Sequence, residues 1–272
     1  MKNLSRSSIA CLFIMLVCGA FRQDPDASGY RKKQTLRILC YNIHHASPPS
    51  TPEKIDLDAI ARVIIDQKPD LVALQEVDVF TGRSGPYHQA EELGKKAGLK
   101  SYFFKAIDHD GGAYGVAILS RYPVIETNRY PLPTKEGTGG EPRVLGTATI
   151  QLPGKQALVF ACTHLDAQRD SVNRQLQIDA IAKVLGDTDL PVIIAGDFNA
   201  APGSQVIRTL DGSFKRTCDP CDFTIPVEKP RKAIDFIAFS PSGTFEVKKH
   251  QVIPERYASD HLPVFAVLEV ER

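Results

Sequence analysis

The sequence predicts an α/β domain of two packed β-sheets with helices on their outer faces. Three observations carry that expectation. Strand-like runs outnumber helical ones across residues 35–272, which calls for sheets that cover each other. Nothing in that span reads as a linker, an internal repeat or a low-complexity tract, so one domain accounts for it. Composition, 43% hydrophobic and 24% charged, is that of a globular chain able to build one large core.

Thr35 to Ile43 alternates and is rich in β-formers, so it reads as a strand. Leu57, Ile60, Ala61, Ile64 and Ile65 recur at helical spacing within Asp56 to Gln67, and Lys68-Pro69-Asp70 stops that helix. Leu71 to Leu74 is a short buried strand ending at Gln75-Glu76. His88 to Ala97 predicts a second helix, with Gly98 as terminator. Tyr102 to Ile107 and Gly115 to Ser120 are strands joined by the turn Asp108-His109-Asp110-Gly111-Gly112. Val124 to Leu132 and Val144 to Leu152 are strands separated by a Pro/Gly-rich loop, and Gln156 to Thr163 is a strand ending at His164. Asp170 to Leu185 predicts a helix with Val172, Leu176, Ile178, Ile181, Ala182 and Leu185 broadly on one side. Val192 to Ala195 is a buried strand leading into Gly196-Asp197, and Ser204 to Leu210 is a short helix. Ile234 to Phe239, Phe245 to Ile253 and Leu262 to Val270 are the last strands.

Residues 1–20 read as a signal peptide. Lys2 and Arg6 form a charged start, and the apolar run Ile9 to Ala20 falls short of the roughly 20 residues of a membrane span. Cys18-Gly19-Ala20 suits cleavage after Ala20; lipidation of Cys18 is the alternative, disfavoured by Val17 before it. The expectation is an exported protein, periplasmic or extracellular, monomeric and without a transmembrane segment. Residues 21–34, with Arg31-Lys32-Lys33, read as a flexible lead-in to a domain over 35–272. Cys40 and Cys162 sit in apolar runs as buried small hydrophobes. A single Cys218-Asp219-Pro220-Cys221 is weak for zinc, and in an exported chain a loop-stiffening disulfide is favoured. A net charge of +1 advertises no strong non-specific attraction to nucleic acid.

Polar motifs close several of the apolar runs: Leu74-Gln75-Glu76-Val77, Gly196-Asp197-Phe198-Asn199 and Ser259-Asp260-His261-Leu262-Pro263. A buried carboxylate needs a partner or a metal, so these placements predict one convergent polar site on a β scaffold. If the chain stays extended at Asp197 and Asn199, residues i and i+2 face one side while Phe198 points into the core.

With Tyr41-Asn42-Ile43-His44, Tyr114-Gly115-Val116-Ala117-Ile118-Leu119-Ser120-Arg121, Thr163-His164-Leu165-Asp166 and Ile234-Asp235-Phe236 added, the ordered set resembles the endonuclease/exonuclease/phosphatase superfamily. The resemblance runs from about Leu36 to the C-terminus. It implies a DNase-I-like four-layer α/β sandwich of mostly antiparallel sheets, and a metal-dependent phosphoesterase with its site at one edge. Glu76 then resembles the principal metal carboxylate, Asn42 supports the metal and phosphate, and Asp260 lies beside the metal. Asp197 resembles the water-positioning acid, Asn199 the phosphoryl-binding amide, His164 a second catalytic histidine, and Asp235 with His261 an Asp–His pair in which His261 deprotonates or aligns the water; the proton acceptor, His261 or Asp197, stays open. His44, a substrate-binding candidate, departs from members with a second carboxylate there; a histidine can bind a metal or a phosphate oxygen, and it leaves room for softer divalent metals. His45 reads as structural or exposed.

Phosphate-ester hydrolysis has a high uncatalysed barrier, and a hard cation such as Mg²⁺, or Mn²⁺, held by one or two carboxylates answers it. Arg143, Arg83 and Tyr114 are further substrate-binding candidates, with a solvated loop arginine the alternative for each guanidinium and a core residue for Tyr114. Arg174 and Gln175 are expected to tie their helix down, and His88, His109 and His250 to lie at the surface. The expected function is hydrolysis of a phosphate ester, a phosphodiester favoured, by in-line attack of activated water. A DNase-like secreted endonuclease is one alternative. A catalytically silent binding protein on the same scaffold is another, opposed by the intact set Glu76, Asp197, Asn199, Asp235, Asp260 and His261. Short loops and scattered basic clusters (Lys95-Lys96, Lys229-Pro230-Arg231-Lys232, Lys248-Lys249) leave the substrate open.

Overall fold

In the computed structural model, which describes residues 33–241 and 245–270, the strand runs pair into two six-stranded sheets. The first runs, in spatial order, through β11 (Phe245–Val252), β12 (Val264–Val270), β1 (Gln34–Asn42), β2 (Leu71–Val79), β4 (Gly112–Ser120) and β3 (Lys100–His109). The second runs through β5 (Val124–Pro131), β6 (Val144–Gln151), β7 (Ala157–His164), β8 (Val192–Asp197), β10 (Asp235–Phe239) and β9 (Lys215–Arg216). Each sheet is antiparallel except for one central parallel pair, β1 with β2 and β7 with β8. A parallel pair needs a crossover, and α1 (Leu57–Gln67) and α3 (Val172–Gly186) supply the two.

Period-two alternation decides the layers. From β1, Ile38 and Cys40 face the opposing sheet with Phe160, Cys162 and Ile237. Leu39 and Tyr41, between them, face the outer layer of α1 and α2 (Gln89–Ala97) through Ile60, Ile64 and Leu93. On the far side Ile194 and Phe236 pack under α3 and α4 (Gln205–Ser213) through Ile181 and Ile207. Each such fully buried Ile or Phe stabilises the fold by about 1.5–3 kcal/mol relative to exposure. The four-layer sandwich and its mostly antiparallel sheets are as expected.

Several local expectations are corrected. β2 does not end at Glu76 but continues to Val79 through a bulge between Leu74 and Val77, where Glu76 is left-handed at φ 56°. β8 carries on through Gly196-Asp197. A 3-10 turn at His44–Ala46 and the two-residue β9 were not anticipated. On α3, Leu176 is exposed while Asn173 and Gln177 are buried. The amides win that face because they have partners: Gln177 accepts from the Asp166 amide at 2.8 Å, and Asn173 accepts from the Lys135 amide at 2.9 Å. Cys218 and Cys221 form a disulfide, and Cys40 and Cys162 are free and buried, as expected. The expected signal peptide and most of the expected lead-in fall on residues 1–32, outside the described residues; Gln34 pairs with Val270. Among the described residues no helix is long and apolar enough to cross a membrane.

Candidate active site

Strand register brings the site together. Parallel pairing sets Asn42 beside Gln75 and His164 beside Asp197, and antiparallel pairing sets Asp197 beside Asp235. The ends of β1, β7 and β8, the bulge of β2 and the start of β10 therefore meet at one edge of the sandwich. Asn42 spans the two sheets: its Nδ2 donates to Glu76 Oε1 at 3.0 Å and to Asp197 Oδ2 at 3.1 Å. Its Oδ1 accepts from the His44 amide at 3.1 Å. Burial pushes the Glu76 carboxyl up, but the nearby His45 ring and the Asn42 amide outweigh burial and hold it below its ordinary value.

Asp197 is the centre of a second group. His164 Nε2 lies 3.5 Å and His261 Nε2 3.7 Å from Asp197 Oδ2. His261 Nδ1 is 2.9 Å from Asp235 Oδ2. Burial and the Asp235 charge raise the Asp197 carboxyl to about 7. For His261 burial works downward, but Asp235 outweighs it and the imidazolium persists to about 10. Burial, then the Arg143 charge, hold His164 well below its ordinary value. A neutral His164 receives the Arg143 Nη1 proton on Nδ1 at 3.1 Å, since a guanidinium can only donate. Its own N–H is thus on Nε2, aimed at Asp197.

Ser259 ties its own motif to Tyr41-Asn42-Ile43-His44. Its hydroxyl donates to the Asn42 carbonyl at 2.7 Å and accepts from the His261 amide at 3.2 Å. Asp260 is half-buried beside Ser259 Oγ at 3.4 Å, and its charge also favours the His261 cation.

Residues 39–261 match the model of the Endonuclease/Exonuclease/phosphatase family. The chain belongs to this family. It is 28% identical over 206 residues to a putative neutral sphingomyelinase of Caenorhabditis elegans, covering 67% of this chain and 46% of that relative. The chain thus spans less than half the length of that protein. An endonuclease/exonuclease/phosphatase from Beutenbergia cavernae matches at TM-score 0.73 and 26% identity, over 88% of this chain and 72% of that one. A mannosyl-6-phosphatase from Bacteroides thetaiotaomicron shares the fold at TM-score 0.69 and 20% identity, over 86% and 99% of the two chains. Members of the family are hydrolases of phosphate esters that typically use a divalent metal.

Two clusters here have metal-ligating donors within 4.8 Å of one another: His44, His45 and Glu76, and Asp197, Asp235 and His261. The first fits a divalent cation. Its carboxylate stays ionised, and His45 Nδ1 is buried without a hydrogen-bond partner, 3.9 Å from Glu76 Oε2. The second is a proton-sharing network whose contacts are already made. His45, expected to be structural or exposed, is half-buried beside Glu76.

Asn199 departs from the extended geometry expected of it. It is left-handed at φ 47°, and its amide N–H donates to Asp197 Oδ1 at 2.8 Å. Its Nδ2 donates to the Leu165 carbonyl at 3.0 Å, while Phe198 is buried as expected. A turn stabilised by the Asp197 side chain overrides strand continuation.

Arg143 is buried rather than a solvated loop arginine. Its Nη1 lies 3.1 Å from Glu141 and 3.4 Å from Tyr114 Oη, and its Nε has no partner. Burial and the Glu76 charge push the Tyr114 phenol far up, so it stays a neutral hydroxyl. Arg83 is exposed, stacked 5.4 Å over the Tyr114 ring, and holds buried Asp78 with two hydrogen bonds of 2.7 and 2.8 Å. Arg174 donates to the Asp166 and Gln168 carbonyls, and Gln175 to Thr209 of α4, tying α3 down as expected. His88, His109 and His250 are half-buried with partners rather than free at the surface: His88 caps α2, His109 lies 6.0 Å from the Tyr114 ring, and His250 bonds Thr217 at 2.8 Å.

Sequence reasoning missed Thr224. Its hydroxyl donates to Asp235 Oδ2 at 2.5 Å, and its carbonyl accepts from the Leu262 amide at 2.8 Å. A lone Thr in a loop carries no signal of this.

Proposed function

We propose that this chain is an exported, divalent-metal-dependent phosphoesterase that cleaves a phosphodiester by in-line attack of water. The observation that carries the reading is the Asp197 carboxyl, which stands between the Asn42 amide and the Nε2 atoms of His164 and His261 at 3.1, 3.5 and 3.7 Å. An acid raised to about 7 is matched to accepting a proton from water near neutrality. His261, kept cationic by Asp235, presents an N–H to the phosphoryl oxygens as negative charge develops there. His164 presents a neutral N–H to the same space, and Arg143 fixes its tautomer. Asn42 holds Glu76 and Asp197 in mutual register, and Asn199 holds the turn that presents Asp197. A divalent cation such as Mg²⁺ or Mn²⁺, held by Glu76 with the histidines beside it, would supply Lewis-acid polarisation of the phosphoryl group.

The likeness to a putative neutral sphingomyelinase favours a phosphodiester over a monoester. Export rests on the charged start and apolar run within residues 1–20. The test is a substrate panel of plasmid DNA, RNA, sphingomyelin, inositol phosphates and sugar phosphates, with Mg²⁺ or Mn²⁺ and with chelator. Turnover of a non-nucleic-acid diester that stops in chelator and drops at least 100-fold in Asp197→Asn supports the reading. Cleavage of plasmid DNA alone would assign the nuclease alternative, and full turnover in chelator would remove the metal. Mass spectrometry of the exported protein should find an N-terminus near Phe21; a diacylglyceryl mass on Cys18 would overturn simple export.

A further inference from the structure

We infer that the cation site is a two-histidine, one-carboxylate set, His44, His45 and Glu76, that selects a transition-metal dication such as Mn²⁺ over Mg²⁺. The inference rests on the metal-dependent reading above and specifies its ligands.

Three features of the cluster carry it. First, His44 Nδ1 sits 2.9 Å from the Ser47 carbonyl. A carbonyl can only accept, so the ring proton is on Nδ1 and the lone pair on Nε2. Binding the far ring nitrogen to a backbone carbonyl is how metal-ligating histidines are oriented. Second, His45 Nδ1 is buried with no hydrogen-bond partner and stands 3.9 Å from Glu76 Oε2. A cation bonded at about 2.1 Å to each of two atoms spans up to about 4.2 Å between them, so this separation is bridgeable. A buried polar atom left unpaired costs on the order of 1–3 kcal/mol, which a bound cation removes. Third, Glu76 offers the matching atom. Its Oε1 is engaged by Asn42, while Oε2 faces His45.

The backbone is built to place these rings. His44, His45 and Ala46 are consecutively left-handed, at φ 46°, 43° and 60°, and Glu76 opposite them is left-handed at φ 56°. Non-glycine residues adopt that region at a cost of roughly 1–2 kcal/mol each, and such outliers cluster where geometry serves a site. The result is two imidazoles with ring centroids 4.4 Å apart against one carboxylate. Gln89 Nε2 holds the turn by donating to the His45 carbonyl at 2.6 Å. Imidazole donors suit first-row dications such as Fe²⁺, Ni²⁺ and Zn²⁺, whereas Mg²⁺ takes oxygen ligands and retains its waters; Mn²⁺, the weakest binder of the first-row series, is the paramagnetic probe of the site.

The test uses the full chain stripped of metal by chelator and dialysed. Calorimetric titration with Mn²⁺ and with Mg²⁺ should give at least tenfold tighter Mn²⁺ binding. Pulsed electron paramagnetic resonance of the Mn²⁺ form should show nitrogen hyperfine coupling. His44→Asn and His45→Asn tolerate the left-handed backbone, and each should weaken Mn²⁺ about 10–100-fold while leaving Mg²⁺ within about threefold. The nitrogen coupling of unmodified protein decides the matter even if a variant misfolds. Equal affinities with no nitrogen coupling would overturn the inference and leave a Mg²⁺-supported hydrolase standing. Tight, nitrogen-coordinated Mn²⁺ without hydrolysis of any panel substrate would uphold it and overturn the phosphoesterase reading. No binding of either cation would overturn both.

Discussion

If Asp197 takes the proton and His261 stays cationic, the rate must be bell-shaped in pH, and Asp235 must control one limb. Rate tracks the fraction of molecules with Asp197 ionised and His261 protonated. The rising limb lies at about 7 and the falling limb at about 10. The two groups are 3.7 Å apart and titrate together, so these limbs belong to the pair. At a pH of about 5 only ~1% of Asp197 is ionised, so kcat falls roughly 100-fold below the plateau. Asp235→Asn removes the anion that outweighs burial at His261. Burial is then opposed by Asp197 and Asp260 alone, and the falling limb moves from about 10 towards the ordinary 6.5. With a limb at 6.5, roughly 0.3% of His261 is protonated at a pH of about 9, a loss on the order of 300-fold there and far less near pH 6. Asp197 also loses a neighbouring anion, so its limb moves down as well and the plateau narrows from the alkaline side. The assay is steady-state kcat on a panel substrate across pH, with circular dichroism confirming folded variants. An Asp235→Asn profile whose alkaline limb stays in place would refute the pairing. An Asp197→Asn profile that keeps the acid limb would refute the proton acceptor. Because Asp235 acts through His261, the double variant should be little slower than His261→Ala alone.

Thr224→Val should lower kcat and shift the alkaline limb in the same direction as Asp235→Asn but less, because the hydroxyl only fixes the carboxylate that holds His261. Thr224→Ser should restore both, and an unchanged limb in Thr224→Val would reduce Thr224 to a loop tether. Gly196→Ala should destabilise the protein by about 1–3 kcal/mol in urea denaturation, since an added Cβ would meet the Thr163 carbonyl oxygen at 2.3 Å. The strain falls between β7 and β8, one residue from Asp197, so activity should drop with stability; a variant as stable as the parent would show that the strands separate freely there.

What could be read from the residues, and what could not, divides along a physical line. Asp56 before an apolar helical stripe and Lys68-Pro69 after it delimit α1, and the Asp56 carboxylate does accept from the Ala59 amide at 3.0 Å. Glu76, Asp197, Asp235 and His261 are legible because a polar group closing an apolar run must be compensated locally. Chain direction beyond those points is not legible. Glu76 was expected to end a strand and instead sits on a bulge inside one, and Asn199 was expected to extend a strand and instead turns it. For Glu76 the partner is distant, Asn42 from another strand; for Asn199 the adjacent Asp197 carboxylate makes the turn and the Leu165 carbonyl of another loop holds its side chain. The same reason hides Thr224, whose partner Asp235 lies across a loop, and the polar face of α3, whose amides bond Lys135 and Asp166.

His45 carries this furthest. In the chain it is one of two adjacent histidines with nothing to distinguish a ligand from a surface ring. Its ring nitrogen becomes chemically informative only when the turn after β1, the bulge of β2 and Gln89 of α2 close around it and leave that atom without a partner. Residue type at a strand end thus foretells where charge collects. The atom still lacking a partner after folding says what the collected charge is for.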